Sequence, residues 1–249
     1  QATSDVFCET GGSRVVKSDL GAYREAGEYP DARIAYRFRL TETGAPHVAV
    51  VSYPADRARS VEIIMTSRRH PGSYDVATGY FVDQADAATP RMVDLPIYFW
   101  PREGENAIIL RTLQGGQPAA CARVTIRRLP ARLPAAAVEE PTGGGRSFGL
   151  HWDDPAVPLQ FGAASQRPAE VYESFRRLVD YLRFTGQDLL CYPVAWHRGA
   201  LFPAASESFR LGAGAERHCL DWVEYVLYLC ERRGIQFLPE TVFDDTLAL

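Results

Sequence analysis

The chain has 249 residues, 46% hydrophobic and 23% charged, a globular composition able to bury one large core or two medium ones. Its formal net charge of −4 gives no electrostatic basis for binding nucleic acid or an anionic membrane. No run approaches the ~18 apolar residues that span a bilayer.

From Val6 to about Leu129 the pattern is alternation. "RIAYRFRL" places Ile34, Tyr36, Phe38 and Leu40 on one face, with Arg33, Arg37 and Arg39 on the other. "HVAVVSYP", "SVEIIMTS", "SYDVATGYFV", "MVDLPIYFW", "NAIILRTL" and "ARVTIRRL" follow, separated by turn formers such as "TETGAP", "HPGS", "PREGEN" and "QGGQP". The basic stretch Arg123–Arg132 reads as the solvated face of the last of these strands, and Tyr98, Phe99 and Trp100 read as core or rim. Many short strands without an intervening helix predict an antiparallel β-sandwich of the jelly-roll or galactose-binding-like kind over residues 1–130. A Pro-, Ala- and Gly-rich stretch without periodicity then marks a linker over 131–146.

After the linker the period changes. "RSFGLHW" is a short strand, and Pro168 opens a helix whose Val171, Phe175, Leu178, Val179 and Leu182 share one face, with Gly186 as its stop. "QDLLCYPVAWHRG" gives a second strand. "AERHCLDWVEYVLYLCERRG" gives a second helix with Leu220, Val223, Leu227 and Cys230 as its stripe and Gly234 as its stop. "IQFLPETVF" gives a third strand. The order β-α-β-α-β over 147–249 predicts parallel strands joined by crossovers. Three such strands leave edges unpaired and one face uncovered, so this reads as the opening of a larger α/β domain. A start at Gln1 rather than Met implies that a signal peptide or other leading segment was removed.

Five cysteines leave one odd. Cys219 and Cys230, on one expected helix, would stand about 16 Å apart at ~1.5 Å per residue, too far to pair. Cys191 reads as a small buried hydrophobe, and a bridge between Cys8 and Cys121 is one open pairing. No CxxC or Cys/His cluster has zinc spacing, so no metal or cofactor is expected.

Ligands of parallel α/β folds meet the carboxyl ends of the strands. Those ends deliver His151, Trp152, Asp153 and Asp154 from the first strand, Trp196, His197 and Arg198 from the second, and Glu240 from the third. Each has a plainer role as well: a core lid for a Trp, a loop hydrogen bond for His197, a turn for the Asp pair before Pro155, a loop carboxylate for Glu240. Together they fit carbohydrate, whose C–H faces stack on Trp and whose hydroxyls satisfy Asp, Glu and His. No pair of carboxyl groups can be assigned as acid and nucleophile. There is no GxSxG elbow, no HExxH, and "GGG" at Gly143–Gly145 precedes a strand rather than a helix.

"AYRFRLTETGAPHVAVVSYPADRARSVEI", "IYFWPREGENAIILRT" and "LVDYLRFTGQDLLCYPVAWHRGALFP" resemble large bacterial proteins in which an N-terminal β-sandwich precedes a glycoside-hydrolase-like (β/α)8 barrel. The resemblance implies that "DLLCYPVAWH" is the second barrel strand and "IQFLPET" the third. It also implies a secreted or cell-surface protein acting on or binding polysaccharide. Trp152, Asp153, His151, Trp196, His197 and Glu240 would line its sugar subsites. Glycosidases of the commonest barrel clan carry their catalytic carboxylates on the fourth and seventh strands, which this stretch does not reach. The rival expectation is a non-enzymatic extracellular structural or adhesive protein. It would self-assemble through open sheet edges, with a further polypeptide or a second copy completing the α/β sheet.

Overall fold

The computed structural model describes residues 7–67, 76–84, 89–102, 104–136, 145, 147–151, 161–162, 168–196, 199–200, 202 and 221–242. By its contacts the chain divides into two compact units, Gln1–Arg132 and Leu133–Leu249. Among the described residues no helix is long and apolar enough to cross a membrane.

The described part of the first unit is all β. Its strands are β1 (Phe7–Thr10), β2 (Ser13–Ser18), β3 (Gly21–Ala26), β4 (Arg33–Arg39), β5 (His47–Ala55), β6 (Arg59–Ser67), β7 (Val76–Gln84), β8 (Arg91–Phe99), β9 (Glu105–Thr112), β10 (Ala120–Cys121) and β11 (Arg123–Arg128). They pair antiparallel into a five-stranded sheet, β1-β4-β9-β6-β7, and two three-stranded sheets, β10-β3-β2 and β11-β5-β8. One core draws on all three sheets: Ala26 from the second, Ile34, Ile63, Ile108 and Leu110 from the first, and Val51, Ile97 and Phe99 from the third. This is the expected antiparallel β-sandwich.

The alternation predicted for β4 holds. Ile34 is fully buried, and Tyr36, Phe38 and Leu40 pack against the core, while Arg37 pairs with Glu105 across to β9 at 3.6 Å. β5, the central strand of its sheet, departs from simple alternation: Val48 and Ser52 are buried along with Ala49 and Val51. Phe99 and Trp100 are buried, as a core or rim role requires. The open pairing of Cys8 with Cys121 is not made. Cys8 is exposed on an edge strand of one sheet, whereas Cys121 is sealed in the core on another, where burial pushes its thiol up to about 12.

In the second unit the order is β12 (Gly149–His151), α1 (Pro168–Phe184), β13 (Leu189–Trp196), β14 (Gly199–Ala200), α2 (Trp222–Arg233) and β15 (Gln236–Val242). β12 and β15 flank β13, both parallel to it, so the expected β-α-β-α-β order and its parallel pairing are present. The short antiparallel β14 on the end of β13 has no counterpart in the sequence reading.

All five stripe residues of α1 are buried, and Gly186 takes the left-handed conformation (φ 75°) that ends such a helix. α2 differs from expectation at its start and in its rotation. It begins at Trp222, with the Asp221 carboxylate accepting from the Glu224 amide at 2.9 Å as an N-cap. The segment expected to open it, 215–220 with Cys219, lies outside the described residues. Its buried side chains are Trp222, Val226 and Cys230, whereas Leu227 is 46% exposed. The reason is the area of Trp222. Docking that ring against Tyr172 (4.7 Å) and Phe175 (6.4 Å) of α1 fixes the rotation of the whole helix. Most of the stretch read as a linker, 137–144 and 146, also lies outside the described residues.

Candidate functional site

The sheet of the second unit has two unlike faces. Leu190 and Tyr192 of β13 are fully buried, and Tyr192 meets Phe175 of α1 edge-on at 5.6 Å, so this face carries the helices. α1 packs against α2 through Tyr172, Phe175, Trp222 and Tyr225, which puts both helices on that one side. Side chains alternate along a strand, so Cys191 points the other way. Its register partners there are His151 of β12 and Leu238 of β15, and Leu238 is 52% exposed.

Glu240, two residues beyond Leu238, shares this open face and reaches back to it. His151 Nε2–H donates to Glu240 Oε2 at 2.7 Å, and the Cys191 thiol donates to the same oxygen at 3.7 Å. The imidazole nitrogen, the sulfur and the carboxylate oxygen all lie within 4.8 Å of one another. Partial burial, and then the Glu240 carboxylate, push the Cys191 thiol above its ordinary pKa. His151 is exposed, while Cys191 and Glu240 are half-buried.

Local sequence explains why the three meet. The Asp188 amide donates to the Phe148 carbonyl at 2.9 Å, the Asp188 carboxylate accepts from the Phe148 amide at 2.7 Å, and the Asp188 carbonyl accepts from the Gln236 amide at 2.7 Å. One residue thus sets the starting register of all three parallel strands. Pro193, which has no N–H to donate, stands where the β13–β15 register shifts, opposite Glu240. Gly149 lets β12 approach: a Cβ there would lie 2.1 Å from the Leu189 carbonyl oxygen. Gly149→Ala is therefore expected to lower stability by about 1–3 kcal/mol, through overpacking that a backbone neighbour cannot relieve. It should also detach His151 from Glu240. Urea unfolding reads the first effect and the His151 ring resonances in NMR read the second; unchanged values for both would show that β12 does not need the glycine.

Of the sequence-selected residues, the structure brings His151 and Glu240 together. Glu240 lies within β15, as the reading of "IQFLPETVF" as a strand has it, and not in a loop as its plainer role would have it. Trp196 is the last residue of β13, its backbone in register with Gly199 and Val242. Trp152, Asp153, Asp154, His197 and Arg198 lie outside the described residues. Cys191 is the residue that sequence reasoning missed. It was read as a buried hydrophobe, yet it is only half-buried and its thiol meets Glu240. The available signal was its parity, out of step with Leu190 and Tyr192 on the same strand.

The sandwich carries a cleft of its own, of about 690 Å³, among Leu20, Ser52, Met92, Asp94 and Arg123. The Ser52 hydroxyl donates to Asp94 there. Among the described residues no aromatic ring lines this cleft for a sugar face to stack on.

No family model matches the sequence, and no curated protein matches it. Solved structures do. An exo-β-1,3-galactanase from Phanerochaete chrysosporium in complex with β-1,3-galactotriose matches at 14% identity and a TM-score of 0.36 over 49% of this chain and 27% of that one. A family 35 carbohydrate-binding module from Clostridium thermocellum matches at 10% identity and a TM-score of 0.35, over 48% of this chain and 90% of the module. A family 35 module from Cellvibrio japonicus matches at 14% identity and a TM-score of 0.33, over 49% of this chain and 91% of the module. The chain thus spans about a quarter of the galactanase and nearly all of the modules. Similarity at this level transfers neither ligand nor activity.

Proposed function

We propose that the chain is part of an exported, glycoside-hydrolase-like protein that binds or processes polysaccharide. In this reading the sandwich, of the galactose-binding-like kind, is an accessory carbohydrate-binding module. The second unit contributes the first three strands of a (β/α)8 barrel. The carrying observation is the open sheet face, onto which three parallel strands deliver His151, Cys191 and Glu240 while both helices cover the opposite side. In a barrel that face lines the interior, and substrate meets it at the carboxyl ends of the strands. Leu238 on this face and Leu227 and Tyr228 on α2 are exposed apolar residues that further strands and helices of a barrel would cover. His151 and Glu240 would hydrogen-bond sugar hydroxyls. Trp152 and Trp196 would stack on sugar faces, with Asp153 and His197 beside them.

The rival reading draws on the same open edges. A structural or adhesive protein would use β12 and β15 to add strands from other copies. One pair of measurements separates the two. Titration with a panel of oligosaccharides, followed by tryptophan fluorescence, should give a saturable response that Trp196→Ala diminishes. Sedimentation of the unliganded chain should show no growth of oligomers with concentration. A chain silent to every glycan yet assembling with concentration would overturn the carbohydrate reading.

A further inference from the structure

We infer that His151, Cys191 and Glu240 form an open three-ligand site for a divalent transition metal of the zinc class. The inference does not rest on the carbohydrate reading; it rests on the donor set and its geometry. An imidazole nitrogen, a thiol sulfur and a carboxylate oxygen come from three adjacent parallel strands and fall within 4.8 Å of one another. Among the described residues these polar groups bond only to one another, so they hold no turn, cap or strand that would account for them structurally.

A small movement of His151 would bring the three ligand atoms to the spacing of a tetrahedral ion. Metal–ligand lengths of ~2.0–2.1 Å to nitrogen, ~2.3 Å to sulfur and ~2.0–2.2 Å to oxygen place tetrahedral ligands about 3.3–3.6 Å apart. Cys191 Sγ and Glu240 Oε2 already stand at 3.7 Å. His151 Nε2 and Glu240 Oε2, at 2.7 Å, must open by about 0.6–0.7 Å as the shared proton leaves, and His151 Nε2 and Cys191 Sγ, within 4.8 Å of each other, must come to about 3.6 Å. The His151 side chain is 58% exposed, so its ring has room to make that shift.

The donors also select the metal. Thiolate and imidazole favour zinc, cobalt or copper over magnesium or calcium, which take oxygen ligands. On binding, the Cys191 thiol loses its proton to solvent and the neutral His151 ring changes tautomer, its Nε2 proton passing to solvent as Nδ1 takes one up, which leaves the Nε2 lone pair for the ion. Thiolate and carboxylate together neutralise the divalent charge. Three protein ligands leave the fourth position open on the uncovered sheet face, the arrangement of a zinc site that binds water or a substrate oxygen rather than a closed structural one.

The ligands are 89 residues apart at the extremes, so no spacing motif announces the site. Cobalt(II) titration of the whole chain under reductant tests it, with Cys8 and Cys219 replaced by Ser to remove competing thiols. A single equivalent should bind with a thiolate-to-cobalt charge-transfer band and the intense visible bands of tetrahedral cobalt, and added zinc should displace both. Cys191→Ser should abolish the charge-transfer band. His151→Ala and Glu240→Gln should weaken binding by at least the ~10–100-fold that loss of an outer-shell partner costs. A parent chain without the band, a band that survives Cys191→Ser, or undiminished affinity in both other variants would each overturn the site. The parent's spectrum and stoichiometry decide the matter even where a variant fails to fold.

Discussion

Replacing Arg59 with methionine is expected to lower the unfolding free energy of the sandwich by about 3–5 kcal/mol, the cost of breaking a buried ion pair from one side. Arg59 is fully buried and all its nitrogens are engaged. Nε donates to the Pro54 carbonyl at 2.8 Å, Nη1 donates to the Pro118 carbonyl at 2.8 Å and to Glu25 at 3.2 Å, and Nη2 donates to Asp56 at 2.7 Å. The guanidinium also lies 5.5 Å from the centre of the Tyr23 ring. Methionine restores part of the volume but takes a donor from two carbonyls and from the carboxylates of Glu25 and Asp56. Arg14 binds the same Glu25 at 2.8 Å, but its side chain is 63% exposed and screened by solvent, so Arg14→Ala should cost far less than Arg59→Met. Equal effects of the two substitutions in urea unfolding would refute the buried network as a stabilising element.

The same network has a pH signature. The Tyr23 hydroxyl donates to Asp56 at 2.6 Å; burial, and then that carboxylate, push Tyr23 up to about 12. Its folded pKa stands above the unfolded value of about 10, so its contribution is complete below about pH 10 and is lost as pH rises through about 12. Burial alone would raise Asp56, but the Tyr23 hydroxyl and Arg59 outweigh it and hold its pKa below the ordinary value. That contribution is present above about pH 3.9 and is lost as pH falls through the depressed folded value. Arg59→Met removes one of the two restraints, so the acid limb of the stability profile should move to higher pH.

Phe175→Ala carries the other large effect, about 3–5 kcal/mol from a cavity in the second core. Phe175 is fully buried, edge-on to Tyr192 of β13 and tilted against Trp222 of α2, so one ring joins both helices to the central strand. Its loss undermines the surface that holds β13, on whose other side Cys191 sits. The two cores belong to separate units, so calorimetry should show Phe175→Ala and Arg59→Met moving different transitions. A shift of the same transition by both would mean that the units unfold as one.

Much of this was legible because it is local. Alternation fixed which residues of β4 meet the core, and the stripe of α1 was read correctly from its 3.6-residue period. Gly186 and Gly234 mark helix ends in the sequence because few other residues take a left-handed backbone, and both do so in the structure. Partnership between distant segments was not legible. The rotation of α2 followed from where the Trp222 ring could dock, and the Cys8–Cys121 pairing failed because Cys8 faces solvent while Cys121 is sealed in the core. The candidate site divides in the same way. The types and strand-end positions of His151 and Glu240 were available from the sequence, because parallel strands present their carboxyl ends to ligand. Their contact, and the inclusion of Cys191, depended on an inter-strand register that no single strand encodes. Asp188, Gly149 and the helices packed against Tyr192 set that register, and only the folded sheet brings an imidazole, a thiol and a carboxylate to one point.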